Sequence, residues 1–295
     1  MKVKFSVLVP VYNEEANIGN LLQSLVKQRL SVGTLQRIVV VASGCTDRTE
    51  EIVKRWMKQD RRVKLLTQRE RQGKTAAINY FLKKDKSKVV VMVGGDVVLK
   101  DRALENLVRH FVDDKVGMVG ARIMSVNKPD TFLGFANRTI WKLHDQMARD
   151  HPRLGEVTAW RRIFERLPRE TICDEAAIEM LVKRADLKLV YEPQAVAYNR
   201  GPTSWGEYLS RRRGNHVGHM MIQRQWGEKV ASEKGWLLVK YWWRQLLNDK
   251  KHWWWYIELV LVELWSKILA TVDYYCGRKG LVWPMAKSAK KPIEV

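Results

Sequence analysis

The sequence predicts an α/β fold built on a doubly wound, mostly parallel sheet, with a tryptophan-rich helical region appended at its C-terminal end. Three observations carry that prediction. From Phe5 to Ile123, short apolar runs alternate with segments of helical periodicity roughly every 25 residues. Parallel neighbours need crossover helices, so this alternation argues for a parallel sheet. The chemically interesting residues fall at the carboxyl ends of the runs, where such sheets bind ligands.

The elements follow in order. Phe5 to Val11 is an apolar run that ends at Pro10, Asn13 and two glutamates, a strand entering a helix start. Ile18, Leu21, Leu22 and Leu25 then recur at helical spacing. Arg37 to Ala42 is a second strand, followed by the turn Ser43 to Asp47 and a helix carrying Ile52, Val53 and Trp56. Val63 to Thr67 is a third strand, Gly73 to Leu82 a helix and Lys88 to Val93 a fourth strand. Ala103 to Phe111 is a helix and Val116 to Ile123 a fifth strand. No GxGxxG follows the first strand, which argues against a dinucleotide-binding domain.

Bulk composition narrows the classes. Of 295 residues, 46% are hydrophobic and 29% charged, enough apolar content for a folded core and too much for a disordered chain. The formal net charge of +21 attracts polyanions: nucleic acid, anionic lipid or phosphorylated substrates. Cys45, Cys173 and Cys276 are far apart and odd in number, which fits a reducing compartment and no disulfide framework. The first apolar run lacks the length and flanks of a signal peptide.

Composition changes near Trp226, and we divide the chain into an α/β domain at 1–225 and a tail at 226–295. Nine of the 13 tryptophans lie from Trp226 onward, among lysines and arginines. That is the composition of a membrane interface. The segment Trp253 to Tyr275 contains Glu258, Glu263, Lys267 and Asp273, more charge than a spanning helix tolerates, although Glu263 and Lys267 stand at pairing distance along a helix. Helices lying in the interface are therefore expected. A spanning helix, or a tryptophan-rich core or oligomer helix, are the alternatives.

Asp96 ends a very apolar strand after Gly94 and Gly95, which let backbone and ligand approach closely. A carboxylate there is costly unless it binds something, and a hard divalent cation is the natural partner; helix capping is the structural alternative. Asp47 has a similar capping alternative, and Glu14 and Glu15 suit a first helical turn. Lys74 follows Gly73 at a helix start and suits a phosphate contact.

Taken together, PVYNEE (Pro10 to Glu15), ASGCTDRTEEI (Ala42 to Ile52), GKTAAIN (Gly73 to Asn79), GGDVVL (Gly94 to Leu99), the run Cys173 to Tyr198 and SRRRGNHVGH (Ser210 to His219) resemble glycosyltransferase family 2. The likeness is to cellulose-synthase-like and dolichyl-phosphate-sugar-synthase-like enzymes, and it spans about the first 220 residues. It implies a GT-A fold and an inverting transfer from a nucleotide-diphosphate sugar. By that resemblance Pro10, Tyr12, Glu14, Ser43 and Asp47 line the nucleoside pocket and Lys74 contacts the donor. Asp96 holds Mn²⁺ or Mg²⁺, and Arg211, Arg212 and Arg213 close over the pyrophosphate. Asp174 is the general base, with Glu175 as its one-residue alternative. A GDP- or UDP-sugar donor, a lipid-linked acceptor such as a polyprenyl or dolichyl phosphate, and a membrane are the expected partners. The expected location is a membrane, with the catalytic domain on the cytoplasmic side.

The departures are specific. Ala42 and Ser43 stand where the family pairs two aspartates, and Gly94 replaces the first aspartate of its DxD motif. Asp96 then needs pyrophosphate oxygens or another side chain to complete a metal site, with His216 and His219 as candidates. Gly214 follows Arg213 where processive polymer synthases carry tryptophan. A catalytically degraded scaffold is the runner-up reading. A basic nucleic-acid-binding protein is a weaker rival: no helix-turn-helix, zinc or RRM signature occurs, and carboxylates at successive strand ends repel phosphates. No nucleic-acid partner is expected.

Overall fold

The computed structural model describes residues 2–152, 154–169, 171–227, 235–249, 252–277 and 285–293, with the side chains of 235–238 and 248 left aside. The expected N-terminal alternation is present: β1 (Val3–Val11), α1 (Ile18–Val26), β2 (Gly33–Ser43), α2 (Thr49–Gln59), β3 (Val63–Gln68), α3 (Lys74–Lys84) and β4 (Val89–Val93). Then come β5 (Val97–Leu99), α4 (Ala103–Val108) tightening into a 3-10 turn, β6 (Val116–Ser125), α5 (Phe132–Asp150), β7 (Val157–Arg161), α6 (Asp174–Arg184) and β8 (Lys188–Asn199). The chain closes with α7 (Trp205–Trp226), α8 (Gly235–Asn248), α9 (Trp253–Tyr275) and a 3-10 turn at Lys287–Lys290.

Eight strands form one sheet in the order β3-β2-β1-β4-β7-β6-β8-β5. The sheet is mostly parallel, as expected, but by a narrow margin of four pairings to three. Pairing is parallel across β3-β2-β1-β4 and between β6 and β8. It is antiparallel for β4–β7, β7–β6 and β8–β5, so the sheet is mixed. The five residues of β7 (VTAWR) carry no long apolar run, and nothing local announces a strand that inserts between β4 and β6.

The parallel half is buried on both faces, as its continuous apolar runs require. Val7, Val9, Ile38, Val40 and Val91 face a core completed by Ile18, Leu21, Leu22 and Leu25 of α1. Leu8, Val39, Val41, Val90 and Met92 face the other side, against Ile78, Phe81 and Leu82 of α3. Burying each such side chain contributes about 1.5–3 kcal/mol. The strand register places Leu8 beside Met92 and Val11 beside Ala42, so the loops after β1, β2 and β4 emerge together at one edge.

The tail divides its tryptophans. Tyr256 and Leu259 of α9 are buried with Leu133, Phe135 and Ala136 of α5 and Tyr208 of α7, and Trp242 and Trp255 pack against them. Trp243, Trp253, Trp254 and Trp265 are exposed; Trp283 lies outside the described residues. Helix α9 coincides with the segment singled out from the sequence, about 34 Å long at 1.5 Å per residue. No helix among the described residues is long and apolar enough to cross a membrane. Glu263 accepts from Arg212 and from the Tyr208 hydroxyl across the α7–α9 contact.

Candidate active site

The loops after β1 and β2 are laced into one surface. Asn13 Nδ2 donates to Thr46 Oγ1 and Asn13 Oδ1 accepts from Thr46 N, at 3.0 and 2.8 Å. Glu14 N donates to Thr49 Oγ1, and Glu15 N to Asp47 Oδ2. Asp47 Oδ1 accepts from Thr49 N. Against partial burial, these hydrogen bonds hold the Asp47 carboxyl below its usual range. Both its oxygens are thus committed to the scaffold, which joins the capping reading of Asp47 to a place on the pocket wall.

Tyr12 presents its ring to Arg71, whose guanidinium lies 4.2 Å from the ring centroid. Ser43 Oγ accepts from Gln72 N at 3.1 Å, which ties the end of β2 to the loop before α3. Pro10 sits near the end of β1 beside Val41. The residues assigned to the nucleoside pocket by resemblance therefore share one edge of the sheet.

Asp96 stands between β4 and β5, half-buried, and among the described residues it makes no hydrogen bond or ion pair. Its charge acts on two carboxylates, the buried Glu14 and the half-buried Glu156. Burial, then Asp96, push Glu14 up to about 8, against the pull of Lys290. Burial also raises Glu156, with Arg211 opposing and Asp96 adding to the shift. The Asp96 charge thus opposes ionisation of both Glu14 and Glu156, and a cation at Asp96 would relieve that opposition. That donor chemistry fits a hard divalent ion at Asp96. No group of three or more His, Cys, Asp and Glu side chains assembles as a metal cluster among the described residues. Neither His216 nor His219 therefore joins Asp96 in such a cluster; His216 lies 3.7 Å from Glu263 instead.

Asp174 and Glu175 occupy the first turn of α6, where the helix dipole favours carboxylates. The Lys74 ammonium, at the first turn of α3, reaches both: 3.0 Å to Asp174 Oδ2 and 2.5 Å to Glu175 Oε1. Burial and the neighbouring Glu175 push Asp174 up to about 7, with Lys74 opposing. Against the same burial, Lys74 holds Glu175 below the usual carboxylate range. Two adjacent carboxylates thus have different proton affinities, and Asp174 is the one poised to exchange a proton near neutrality.

The arginine triplet needs correction. Arg211 forms an ion pair with Glu156 at the cleft. Arg212 pairs with Glu263 at 2.5 Å and Arg213 with Asp273 at 2.5 Å, both on α9. Consecutive helical residues point about 100° apart, so three neighbours cannot all face one ligand. Here only Arg211 is placed at the cleft, and its two neighbours bind α7 to the tail.

Sequence reasoning missed two residues. Glu156 opens β7 from a loop with no motif, and its buried contacts with Arg211 and Asn199 come from distant segments. Lys290 arrives from the C-terminal turn and its ammonium lies 2.5 Å from Glu14 Oε1. Neither carries a local signal.

The model of the family described as glycosyl transferase family 2 matches residues 6–168. Among curated relatives, the glycosyltransferase GlyG of Streptococcus pneumoniae is 27% identical over 132 residues, 44% of this chain and 42% of that protein. The glycosyltransferase AglE of Haloferax volcanii is 28% identical over 118 residues, 40% and 38% of the two chains. The chain thus spans less than half the length of these relatives. Among solved structures, the mannosyltransferase PcManGT from Pyrobaculum calidifontis, in complex with GDP-Man and Mn²⁺, superposes with a TM-score of 0.62 at 21% identity, covering 94% of this chain and 76% of that one. Glucosyl-3-phosphoglycerate synthase from Mycobacterium tuberculosis, with Mn²⁺, UDP and phosphoglyceric acid, gives 0.50 at 18% identity, covering 75% and 78%. At these identities the structural likeness establishes the fold.

Proposed function

This chain belongs to glycosyl transferase family 2, and on that premise we propose that it moves a sugar from a GDP- or UDP-sugar to a lipid-linked acceptor at a membrane surface, with inversion at the anomeric carbon. The observation that carries the reading is that Asp96, without a partner among the described residues, and Lys74, the partner of Asp174, both act on Glu156, while the Asp174 carboxyl is raised to about 7. Asp174 takes the proton from the acceptor hydroxyl. The hydroxyl oxygen then bonds to the anomeric carbon as the bond to the diphosphate breaks, and that electron pair leaves on the diphosphate oxygen. Lys74 and Arg211 are the cations at hand for the developing charge. A divalent ion held at Asp96 would supply Lewis acidity to the same diphosphate, and relatives of this fold carry Mn²⁺.

The membrane reading is supported by the outer face of α9. Trp254, Ile257, Leu261, Leu264, Trp265, Ile268, Val272 and Tyr275 recur at helical spacing and are all exposed, with Trp254 at 65% and Tyr275 at 78%. An apolar stripe of that length on a helix too charged to span suits the headgroup boundary. Trp243 and Leu247 of α8 extend it. Basic residues add about 1 kcal/mol each near an anionic surface. A cytoplasmic face is part of the proposal, since Cys45, Cys173 and Cys276 form no disulfide among the described residues. The second reading, a scaffold without activity, is favoured by the missing first DxD aspartate.

A thermal-shift screen of UDP- and GDP-sugars with and without Mn²⁺ tests the proposal. A ligand at about 100 times its Kd adds about 2.7 kcal/mol to stability, a readily measured rise in Tm. One nucleotide class should stabilise the chain, more so with Mn²⁺, and Asp96→Asn should lose the metal increment while keeping its circular dichroism. No shift with any nucleotide sugar would sink the reading, whereas binding without transfer or donor hydrolysis would leave the scaffold.

A further inference from the structure

The last described residues form a strap that closes on the candidate donor pocket. Ser288 N and Oγ bond to the Glu207 carboxylate in the first turn of α7, and Thr203 N donates to Ser288 Oγ. On the other side Asn17 Nδ2 donates to Lys290 O, Ile293 N to Asn17 Oδ1 and Asn20 Nδ2 to Ile293 O, at 3.2, 3.2 and 3.3 Å. Ala289 and Ile293 are buried. The strap therefore bridges the starts of α1 and α7 with side chains sunk into the body of the protein.

From this strap Lys290 Nζ reaches the turn after β1. It donates to Tyr12 O at 2.6 Å, Asn13 O at 2.7 Å and Glu14 Oε1 at 2.5 Å. An ammonium has three hydrogens, and three acceptors use them. Lys290 is therefore no free cation for a phosphate. What it grips is informative. Asn13 has a φ of +53°, a left-handed conformation that asparagine tolerates better than most non-glycine residues. The carbonyls on either side of Asn13 Cα are those that Lys290 binds. Glu14 is pinched as well: a Cβ on Gly95 would come within 2.8 Å of its Cγ. With Oε1 held by Lys290, the other carboxylate oxygen, Oε2, is buried and has no hydrogen-bond partner among the described residues. A buried polar atom without a partner is costly, and Glu14 is among the residues that the resemblance assigns to the nucleoside pocket.

We infer that Lys290 is a positioning residue of the donor site: it fixes the Tyr12–Glu14 turn and orients Glu14 so that Oε2 forms a hydrogen bond with the nucleoside, at a ribose hydroxyl or a base edge. This inference rests on the glycosyltransferase reading of the site. It makes the C-terminal strap part of the donor pocket, contributed across 276 positions from Glu14.

The test is calorimetric binding of UDP and GDP to the full chain, wild type against Lys290→Met, with Lys290→Gln as a milder second variant and circular dichroism as the check on folding. Loss of a charge-assisted contact that orders the pocket should weaken nucleotide binding about tenfold. Donor KM should rise equally, while kcat and acceptor KM stay at wild-type values; a general structural defect would move all three. In a Glu14→Gln background, Lys290→Met should cost little more, because the lysine acts through that carboxylate. Folded variants that bind nucleotide as tightly as wild type, or tighter, overturn the positioning role, the latter because the strap would then be blocking the pocket. A wild-type chain that binds neither nucleotide overturns the glycosyltransferase reading, and this inference with it.

Discussion

Two clusters of buried carboxylates lie on either side of α7, and their chemistry is opposite. Toward α9, Glu263 has Arg212 and Asp273 has Arg213. Against the burial of Glu263, Arg212 and His216 hold its carboxyl down to about 2. Toward the sheet edge, Glu14 rises to about 8 and Asp174 to about 7, and Asp96 has no partner among the described residues. A paired carboxylate that stays ionised fastens helices together. Carboxylates crowded against one another store a demand for protons or cations. Raised values in a cleft mark function, whereas lowered ones inside a helix interface mark architecture.

Breaking the reactive side gives the largest expected effect. Asp174→Asn should cut transfer by about 10²- to 10⁴-fold, the usual contribution of general acid–base catalysis, with circular dichroism unchanged. If it transfers at the wild-type rate while Glu175→Gln does not, the base is Glu175 and the contrast between the adjacent carboxylates was misread. If both transfer normally, the acceptor is an ionised phosphate that needs no base.

Breaking the architectural side should leave the chemistry and cost stability. Glu263→Gln leaves Arg212 without its carboxylate; the two side chains are 21% and 23% exposed, so the loss should cost about 1–3 kcal/mol. The expected readout is a lower urea midpoint with retained nucleotide binding. An unchanged midpoint would show that the α7–α9 pairing is incidental.

The two sides should also separate by pH. Glu263 has a lowered folded pKa, so its stabilisation is present above the unfolded value near 4.5 and is lost as pH falls through about 2. Asp174 and Glu14 have raised folded values, so their contribution is full below their ordinary 3.8 and 4.5 and is lost as pH climbs through 7 and 8. Melting the unliganded chain in EDTA should show a decline between about pH 4 and about pH 8, the span from the ordinary to the raised values, that Asp174→Asn and Glu14→Gln flatten. A slope identical in both variants and wild type would remove the distinction.

The smallest stability effect, and the sharpest test of the tail, comes from its outer face. Trp254→Glu and Leu261→Glu alter exposed positions, where substitutions stay within about 0.5 kcal/mol. Both should abolish flotation with anionic liposomes, and high salt should release the wild type. A chain that never floats assigns the stripe to another occupant, and the lipid acceptor loses its support.

Much of the parallel half was legible because its physics is local. A strand buried on both faces must be apolar throughout, so the segments Val3–Val11, Gly33–Ser43 and Val89–Val93 announce themselves, and their carboxyl ends mark the cleft. The order of motifs identified the family, and nothing in that identification required coordinates. The tail was half legible: tryptophan density singled out Trp253 to Tyr275 but could not say that Trp255 packs inward while Trp254 faces out, because that depends on where α5 lies.

By itself the sequence determined the elements of the parallel half, the edge at which the chemistry gathers, and most of the groups that gather there. Only the tertiary structure decided how those groups are partnered. It inserted β7 antiparallel and thereby delivered Glu156 to Arg211. It turned Arg212 and Arg213 away from the cleft to hold α9, and it brought Lys290 back to the first turn of the chain. The reason is one of range. Periodicity and propensity act over a few residues, whereas the partner of a buried charge is set by which distant segments the packing of the core brings together.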